Sequence, residues 1–250
     1  IPDQDILWLL DRIIDSFFWP SLDVIIWGML TFFVDSFSSL NVTSAILGGI
    51  IFWSFAYSVQ RDITMTTVQD LWDRNLYNVM ASPLRPIELI VAGALYALLR
   101  LVVLFFLLAL IASALYHFSF FIFLPFMLGG IVTIVLFGTA VGIVTSGLIY
   151  RFGSNVQMLC WSGLAVLSPF VAVTYPVASL PQYLHGISWA VPATYVFEFV
   201  RRFVAQGIIP PFSAWVLPSL LNAVYLVLSI VCFFWAFKHA KRRGWFVKMD

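Results

Sequence analysis

The side chains able to do chemistry in this 250-residue chain are few, and several lie inside long apolar runs. Asp23, Asp35 and Arg100 are the ionisable groups that interrupt such runs. A charge in hydrocarbon costs at least about 2.5–3.5 kcal/mol, so each needs a partner, a route to water or a function. Asp23 and Asp35 lie near opposite ends of their run and can reach the headgroups. Arg100 lies halfway along its run, which predicts pairing with a carboxylate or backbone carbonyls; contact with an anionic headgroup and snorkelling are the alternatives.

Groups that would catalyse a reaction or hold a metal do not cluster in the sequence. His117, His185 and His239 are far apart, and Cys160 and Cys232 fall inside apolar runs, as small buried side chains do. There is no Walker phosphate-binding loop and no nucleophile elbow. We therefore expect no catalytic residue, no metal and no cofactor in this chain, and we do not expect it to be an enzyme. Any ATP hydrolysis must occur on another subunit.

Composition indicates which kind of protein positions these side chains. Hydrophobic residues make up 62% of the chain and charged residues 10%, and the mean hydropathy is +0.99. Soluble domains carry about 25% charged residues, so this chain cannot cover itself with a polar surface. Its net charge of +1 provides no field for nucleic acid. The composition predicts an all-α polytopic membrane protein.

Six apolar segments are candidates to cross about 30 Å of hydrocarbon. They cover residues 17–37, 44–59, 87–115, 120–150, 156–173 and 215–237. We predict a single membrane domain, 1–250. Its parts are an interfacial helix (1–16), spans one and two (17–66), a cytoplasmic helix (67–86), spans three to five (87–173), a long outer loop (174–213), span six (214–237) and a basic tail (238–250).

The distribution of Lys and Arg predicts the orientation of the spans. With both termini in the cytoplasm, ten of the 13 basic residues fall on that side, Arg61 in the loop after span two among them. Arg201 and Arg202 fall outside, and Arg100 lies within a span. Because cytoplasmic loops carry the excess of Lys and Arg, we predict an N-in/C-in topology.

Two stretches beside the spans have the pattern of amphipathic helices. Near the N-terminus, the apolar residues that share one helical face, opposite charged residues, are Ile6, Leu9, Leu10 and Ile13. This pattern predicts a helix lying along the membrane interface. The alternative is that these residues are simply the lead-in to span one. Residues 68–88 also have one apolar and one polar helical face, and Pro83 and Pro86 end that helix. This second helix is well placed to receive another protein, and a solvated loop is the alternative.

The long loop at 174–213 contains five prolines and many apolar residues. It is more apolar than a segment in water should be, so we predict that it dips into the outer leaflet as re-entrant helices. One of these should begin at Pro192 and end at Gly207. On it, Glu198 can pair with Arg201 or Arg202, as a local salt bridge or as a polar latch on an outer gate.

Small residues recur every fourth position in span four, at Gly138, Gly142 and Ser146. Such a stripe allows close approach of another helix. The sequence leaves open whether that helix belongs to the same chain or to a second copy.

Several motifs occur in an order that resembles ABC transporter type 2 permeases. They are WPSLD at 19–23, LYNVMASPLRPIE at 76–88, GLIYRFGSN at 147–155, YPV at 175–177 and PATYVFEFVR at 192–201. Together with the six-span layout they extend over nearly the whole chain. Some members of the family have a large external domain between spans one and two, and this chain has none there. Mechanical extraction of lipoproteins, the function associated with that domain, is therefore not the function expected of this chain.

The resemblance implies a permease subunit that forms a homodimer in a prokaryotic plasma (inner) membrane and works with two copies of a separate ABC ATPase subunit, which binds Mg-ATP. Residues 1–16 would be the connecting helix. The outer gate would include Pro176, Pro192, Tyr195, Glu198 and Arg201. The segment that couples to the ATPase would comprise Leu76, Tyr77, Met80, Ala81, Ser82, Pro83, Leu84, Arg85 and Pro86.

The function implied is export of an amphipathic, lipid-linked or drug-like substrate from the cytoplasm or inner leaflet. The alternative is a secondary transporter or channel that needs no ATPase partner, for which internal repeats and a midplane ion site would be expected. An integral membrane enzyme acting on lipids is a third hypothesis. It is disfavoured because no acidic or His cluster is visible at one membrane face.

Overall fold

The computed structural model describes residues 2–35, 42–73, 86–117 and 124–243, and every regular element in these ranges is helical. The long helices are α1 (Pro2–Asp35), α2 (Val42–Trp72), α3 (Pro86–Tyr116), α4 (Leu124–Phe152) and α9 (Val216–Arg243). Between α4 and α9 lie the shorter helices α5 (Leu159–Ser162), α6 (Ser168–Val171), α7 (Gln182–Ala190) and α8 (Pro192–Gln206). Turns of 3₁₀ helix occupy Gly153–Val156, Ala165–Leu167, Val177–Ser179 and Phe212–Trp215.

Four segments within the described ranges are long and apolar enough to cross a membrane. They are Phe17–Val34, Ile87–Tyr116, Met127–Val156 and Phe212–Lys241. These correspond to the first, third, fourth and sixth predicted spans. The chain is thus an all-helical protein with the spans of a membrane protein, as its composition predicted.

The second predicted span belongs to a longer and more polar helix than its apolar run. The residues after 59 predict a helix that continues past Arg61, and α2 runs to Trp72. Its middle lies at the centre of the bundle, where Phe52 and Phe55 are fully buried. Because protein rather than lipid surrounds it, polar side chains on α2 can find protein partners. Arg61 is one of them: it lies within α2 and is only 3% exposed, so it is not part of a solvent-exposed loop after the span.

The fifth predicted span is not one helix. Residues 153–173, which we call the broken segment, consist of α5, α6 and 3₁₀ turns joined by irregular helical residues. Pro169 lacks the N–H that a regular helix requires. Gln60 of α2 donates to the carbonyls of Leu159 and Cys160, at 3.4 and 3.3 Å. A side chain of α2 therefore satisfies carbonyl groups of this irregular backbone.

The N-terminal helix is continuous where two elements were predicted. Helix α1 runs from Pro2 to Asp35 with Pro20 in its interior, so no boundary exists at residue 16. At 1.5 Å per residue it extends about 51 Å, more than the thickness of the hydrocarbon. A helix of this length can carry its charged first turns beyond the hydrocarbon without a separate element.

Helices α2 and α3 run in opposite directions, as their side-chain contacts show. Arg100 of α3 pairs with Asp62 of α2, whereas Gly93, earlier on α3, faces Thr66, later on α2. Helices α2 and α3 are therefore antiparallel. The hydroxyl of Tyr116 at the end of α3 donates to a carbonyl of α1 at 2.6 Å, which joins these two helices.

Helices α4 and α9 run parallel to α2. Asn222, near the start of α9, donates to the Thr133 carbonyl of α4 at 3.0 Å, and Phe233 packs edge-on against Tyr150 near the end of α4. Helix α4 thus lies between α2 and α9 along most of its length.

Helices α7 and α8 form a hairpin at the end of the bundle where α2 and α4 begin. As predicted, α8 starts at Pro192 and Gly207 caps its C-terminal end, with a φ of 69° that favours glycine. Val196 is buried, and the Phe197 ring lies 6.2 Å from that of Trp53 on α2. We call this the hairpin end, and the end where α2 and α4 finish the opposite end.

Candidate functional site

A buried ion pair joins α2 to α3. The guanidinium Nη1 of Arg100 donates to Asp62 Oδ1, and the two side chains are 13% and 2% exposed. The Phe17 ring of α1 lies 5.4 Å from the same guanidinium. Arg61, also buried, adds a second positive charge to the region. The pair therefore links three helices inside the bundle, as the mid-span position of Arg100 required.

A hydroxyl and amide cluster lies next to the ion pair and reaches α4. The hydroxyls of Thr64 and Thr145 lie 2.6 Å apart, and the Gln60 amide donates to Thr64 at 3.0 Å. Since Gln60 also contacts two carbonyls of the broken segment, the cluster connects α2, α4 and that segment. A side chain that holds three elements together can fix the position of an otherwise irregular span.

The small-residue stripe of α4 faces α2 of the same chain. A Cβ atom on Gly138 would lie 2.6 Å from the carbonyl oxygen of Ala56, and one on Gly142 would lie 3.1 Å from Ile63 Cβ. Ser146 donates to the Ile63 carbonyl at 3.3 Å. The stripe thus serves packing within the chain, and it brings α4 close enough for the threonine contact.

A cavity of about 390 Å³, which we call the side groove, lies between α1, α2 and the broken segment. Asp23 lies in this groove and is exposed, although it belongs to a candidate membrane span. Tryptophan side chains of α1 and α2 form much of the wall. The lining consists of Asp23, Trp27, Ile50, Trp53, Ser54, Ser168, Pro169, Val173, Thr174 and Tyr175.

Glu198 and Arg201 fasten α8 to the link that follows the broken segment. Arg201 Nη2 lies 3.0 Å from Glu198 Oε1, and this oxygen also accepts the Val177 amide at 2.9 Å. Arg201 donates in addition to the Val173 carbonyl at 3.2 Å. Burial lowers the pKa of Arg201, and the Glu198 charge opposes that shift. Arg202 is exposed. Glu198 therefore pairs with Arg201, and each of these two side chains also binds a backbone group outside α8.

The other predicted gate residues shape the same hairpin. Pro176 is extended (φ −71°, ψ 150°) and precedes the turn that offers the Val177 amide. Pro192 is the first residue of α8 and is buried. Tyr195 donates to the Trp189 carbonyl of α7 at 3.0 Å, with the two rings 5.0 Å apart. Burial raises the pKa of Tyr195, so it remains a neutral donor.

The predicted contacts with an ATPase fall largely outside the described residues. Of the coupling segment at 76–86, only Pro86 is described, as the first residue of α3. The connecting-helix residues Ile6, Leu9, Leu10 and Ile13 belong to α1, but their side chains lie outside the described part. Asp35 ends α1, and its side chain is likewise not described.

Sequence reasoning did not single out Gln60, Asp62, Thr64 or Thr145. A usable signal was present: the apolar run at 44–59 has 16 residues, fewer than the about 20 that a span needs. The span therefore had to continue through the polar residues that follow. Their helical positions would then have placed Asp62 at the depth of Arg100.

No protein-family model matches this chain, and no curated protein matches it significantly. The described residues also contain no group of His, Cys, Asp or Glu that could hold a metal ion. The candidate site thus consists of the side groove, the buried polar contacts between α2, α3 and α4, and a hairpin that Glu198 and Arg201 hold against the link before it.

Proposed function

We propose that this chain is the transmembrane permease subunit of an ATP-driven exporter of the ABC type 2 class, moving an amphipathic, lipid-linked or drug-like substrate. The observation that carries the proposal is the exposed carboxylate of Asp23 in a groove between α1, α2 and the broken segment. The sequence motifs that resemble this family extend over the same elements.

The side groove has the chemistry expected of a path for amphipathic cargo. A carboxylate exposed to hydrocarbon is costly, so Asp23 requires water or another protein beside it. Trp27 and Trp53 offer apolar surface, while Ser54 and Ser168 offer hydroxyls. A second copy of the chain placed across this open side would turn two grooves into one enclosed path, which supports a homodimer.

Geometry supports counting the broken segment as a crossing. Its Gln157 accepts a hydrogen bond from Trp72 at 2.9 Å, and its Val173 carbonyl lies against Gly49, near the other end of α2. The intervening part of α2 rises about 34 Å at 1.5 Å per residue. The 16-residue advance from Gln157 to Val173 contains both α-helical and 3₁₀ turns, so it rises between about 24 and 32 Å at 1.5 to 2.0 Å per residue. With α2 included, six elements then cross the bilayer.

Basic residues support placing the opposite end in the cytoplasm. Arg151 of α4 and Lys238 and Lys241 of α9 lie toward that end, and Arg74 and Arg85 fall in the sequence between the end of α2 and the start of α3. The hairpin end is then external. Phe197 of α8 lies against Gly49 and Trp53 of α2, about 10–16 Å below the start of α2, so the hairpin fits a re-entrant pair.

In this proposal the ATPase subunit binds Mg-ATP, and this chain hydrolyses nothing. The ATPase would contact the segment 76–86 and the first turns of α1. Its nucleotide states must bind the two forms of the permease with different affinity, because a partner with equal affinity for both would shift nothing. Motion at 76–86 would pass through α2 to the ion pair, the cluster and the side groove.

The test is copurification of the tagged full chain with an ATPase subunit from its host. The informative variant is Leu84→Asp, which places a charge in the proposed contact, with the apolar change Leu99→Ala on the exposed face of α3 as the control. We expect Leu84→Asp to abolish the association at normal expression and the control to retain it. A chain that purifies alone and moves solute without ATP would replace this proposal with the secondary transporter.

A further inference from the structure

A second cavity, of about 300 Å³, lies toward the opposite end and is separate from the side groove. Buried residues of α2 and α4 form its floor, and α3 and α9 contribute its walls. Tyr96 on α3 is 47% exposed, so that wall reaches the outer surface of the bundle. The lining consists of Ile63, Thr66, Thr67, Asp70, Leu89, Ile90, Ala92, Gly93, Tyr96, Ser146, Tyr150 and Phe233.

The polar lining offers mainly hydrogen-bond acceptors. Thr66 and Ser146 each donate their hydroxyl proton to the Ile63 carbonyl, at 2.8 and 3.3 Å, which leaves their lone pairs available. Asp70 adds the carboxylate of the lining, and the Tyr150 ring carries its hydroxyl close enough to interact with Asp70. A primary ammonium, with three N–H donors and a positive charge, matches such a surface.

The cations near this cavity lie deeper in the bundle than its lining. Tyr96 lies one turn before Arg100 on α3 and close enough to interact with its guanidinium. Arg100 and Arg61 are not part of the lining, whose charged group is Asp70. The cavity therefore favours a cation over an anion.

The outer end of the cavity, at Asp70 and Leu89, lies at the depth of the headgroup layer. Asp70 lies two residues before the end of α2, and the α3 wall starts at Leu89, just inside the candidate span that begins at Ile87. Trp72, 52% exposed and stacked on Trp161, marks the interface, where Trp is enriched.

We infer that this cavity binds the headgroup of a phospholipid that carries a primary amine, with the ammonium at Asp70. A lipid in the leaflet at the opposite end presents its amine toward that end, because its phosphate lies nearer the acyl chains than its amine does. The chains then leave between α3 and α9. This binding does not depend on the partner ATPase or on the exported cargo.

The experiment titrates the delipidated full chain in detergent with phosphatidylethanolamine and with phosphatidylcholine of the same acyl chains, and measures bound lipid by native mass spectrometry. Phosphatidylcholine keeps the phosphate and the positive charge but has no N–H donor. We expect phosphatidylethanolamine to bind about tenfold more tightly. Asp70→Asn should remove this preference, and Glu88→Gln, an exposed carboxylate outside the cavity lining, should retain it.

Gly93→Leu is a second variant that fills the cavity. An added Cβ there lies 3.5 Å from Thr66 Oγ1, an ordinary contact, and Gly93 lines the cavity, so the rest of the leucine side chain has the cavity's volume to occupy. We expect this variant to bind both lipids more weakly while its thermal stability stays unchanged. Equal affinity of the unmodified chain for the two lipids, or a preference that survives Asp70→Asn, would overturn the inference. Equal competition by water-soluble phosphoethanolamine would also overturn it, because the site would then take a free amine.

Discussion

The ion pair between Asp62 and Arg100 provides the sharpest test of the buried polar connection. We consider three variants: Arg100→Met, Asp62→Asn and the double variant Asp62→Leu/Arg100→Met. Each single change leaves one charged group without its partner in a region where the side chains are 13% and 2% exposed. The double change replaces both charges with apolar side chains.

The structure predicts unequal costs for the two single changes. Breaking a buried pair by removing one partner costs about 3–5 kcal/mol. Arg100→Met leaves the Asp62 carboxylate near Arg61, whose charge still offsets it, so we expect about 3 kcal/mol. Asp62→Asn leaves Arg100 and Arg61 as two buried cations that repel each other, so we expect about 5 kcal/mol. The double variant should recover most of the loss, because apolar replacement of a buried pair is often neutral or stabilising.

The assay is the free energy of unfolding in mixed micelles, determined by denaturing-detergent titration of each variant. Lys238→Met, an exposed basic residue on α9, is the control and should change stability by less than about 0.5 kcal/mol. Costs below about 1 kcal/mol for both single variants would refute the buried-pair argument. A double variant as unstable as the sum of the singles would refute the coupling between the two residues.

Two further predictions concern the helix packing and the hairpin. Gly138→Ala should destabilise the chain by about 1–3 kcal/mol, because its Cβ would lie 2.6 Å from the Ala56 carbonyl oxygen. Gly186→Ala, where no atom lies within 4 Å of the added group, should be neutral or slightly stabilising in the same titration; equal losses would contradict the close approach of α4 and α2. Glu198→Gln should speed deuterium exchange of the Val177 amide, which loses a charged acceptor, whereas Arg202→Gln should leave it unchanged. Unchanged exchange in both variants would show that the carboxylate does not fasten this link.

Composition and hydropathy predicted the helical membrane class because burial of apolar residues and backbone hydrogen bonding leave few other solutions in lipid. Local chemistry also predicted α8 well. Pro192 and Gly207 act through their own backbone restrictions, which do not depend on the rest of the fold. The bounds of α3 likewise follow from its apolar run and Pro86.

The sequence failed where tertiary partners change what a segment can tolerate. Helix α2 carries Gln60 and Asp62 inside the bundle because α3, α4 and the broken segment supply their partners, which a hydropathy window cannot register. The broken segment reads as an apolar span, yet side-chain hydrogen bonds from Gln60 support its irregular backbone. Its departure from a regular helix depends on contacts about 100 residues away in sequence.

The most direct measurement of the central claim is nucleotide-dependent access to the side groove. Ser54→Cys, in a background with Cys160 and Cys232 replaced by serine, is reconstituted in vesicles with the copurified ATPase and labelled with a water-soluble maleimide. Lys238→Cys, exposed on α9 toward the opposite end, is the control. The proposal predicts that Mg-ATP changes the labelling rate of Ser54→Cys severalfold and leaves that of Lys238→Cys unchanged. Equal rates at Ser54→Cys with and without Mg-ATP would contradict an ATP-driven path through the groove.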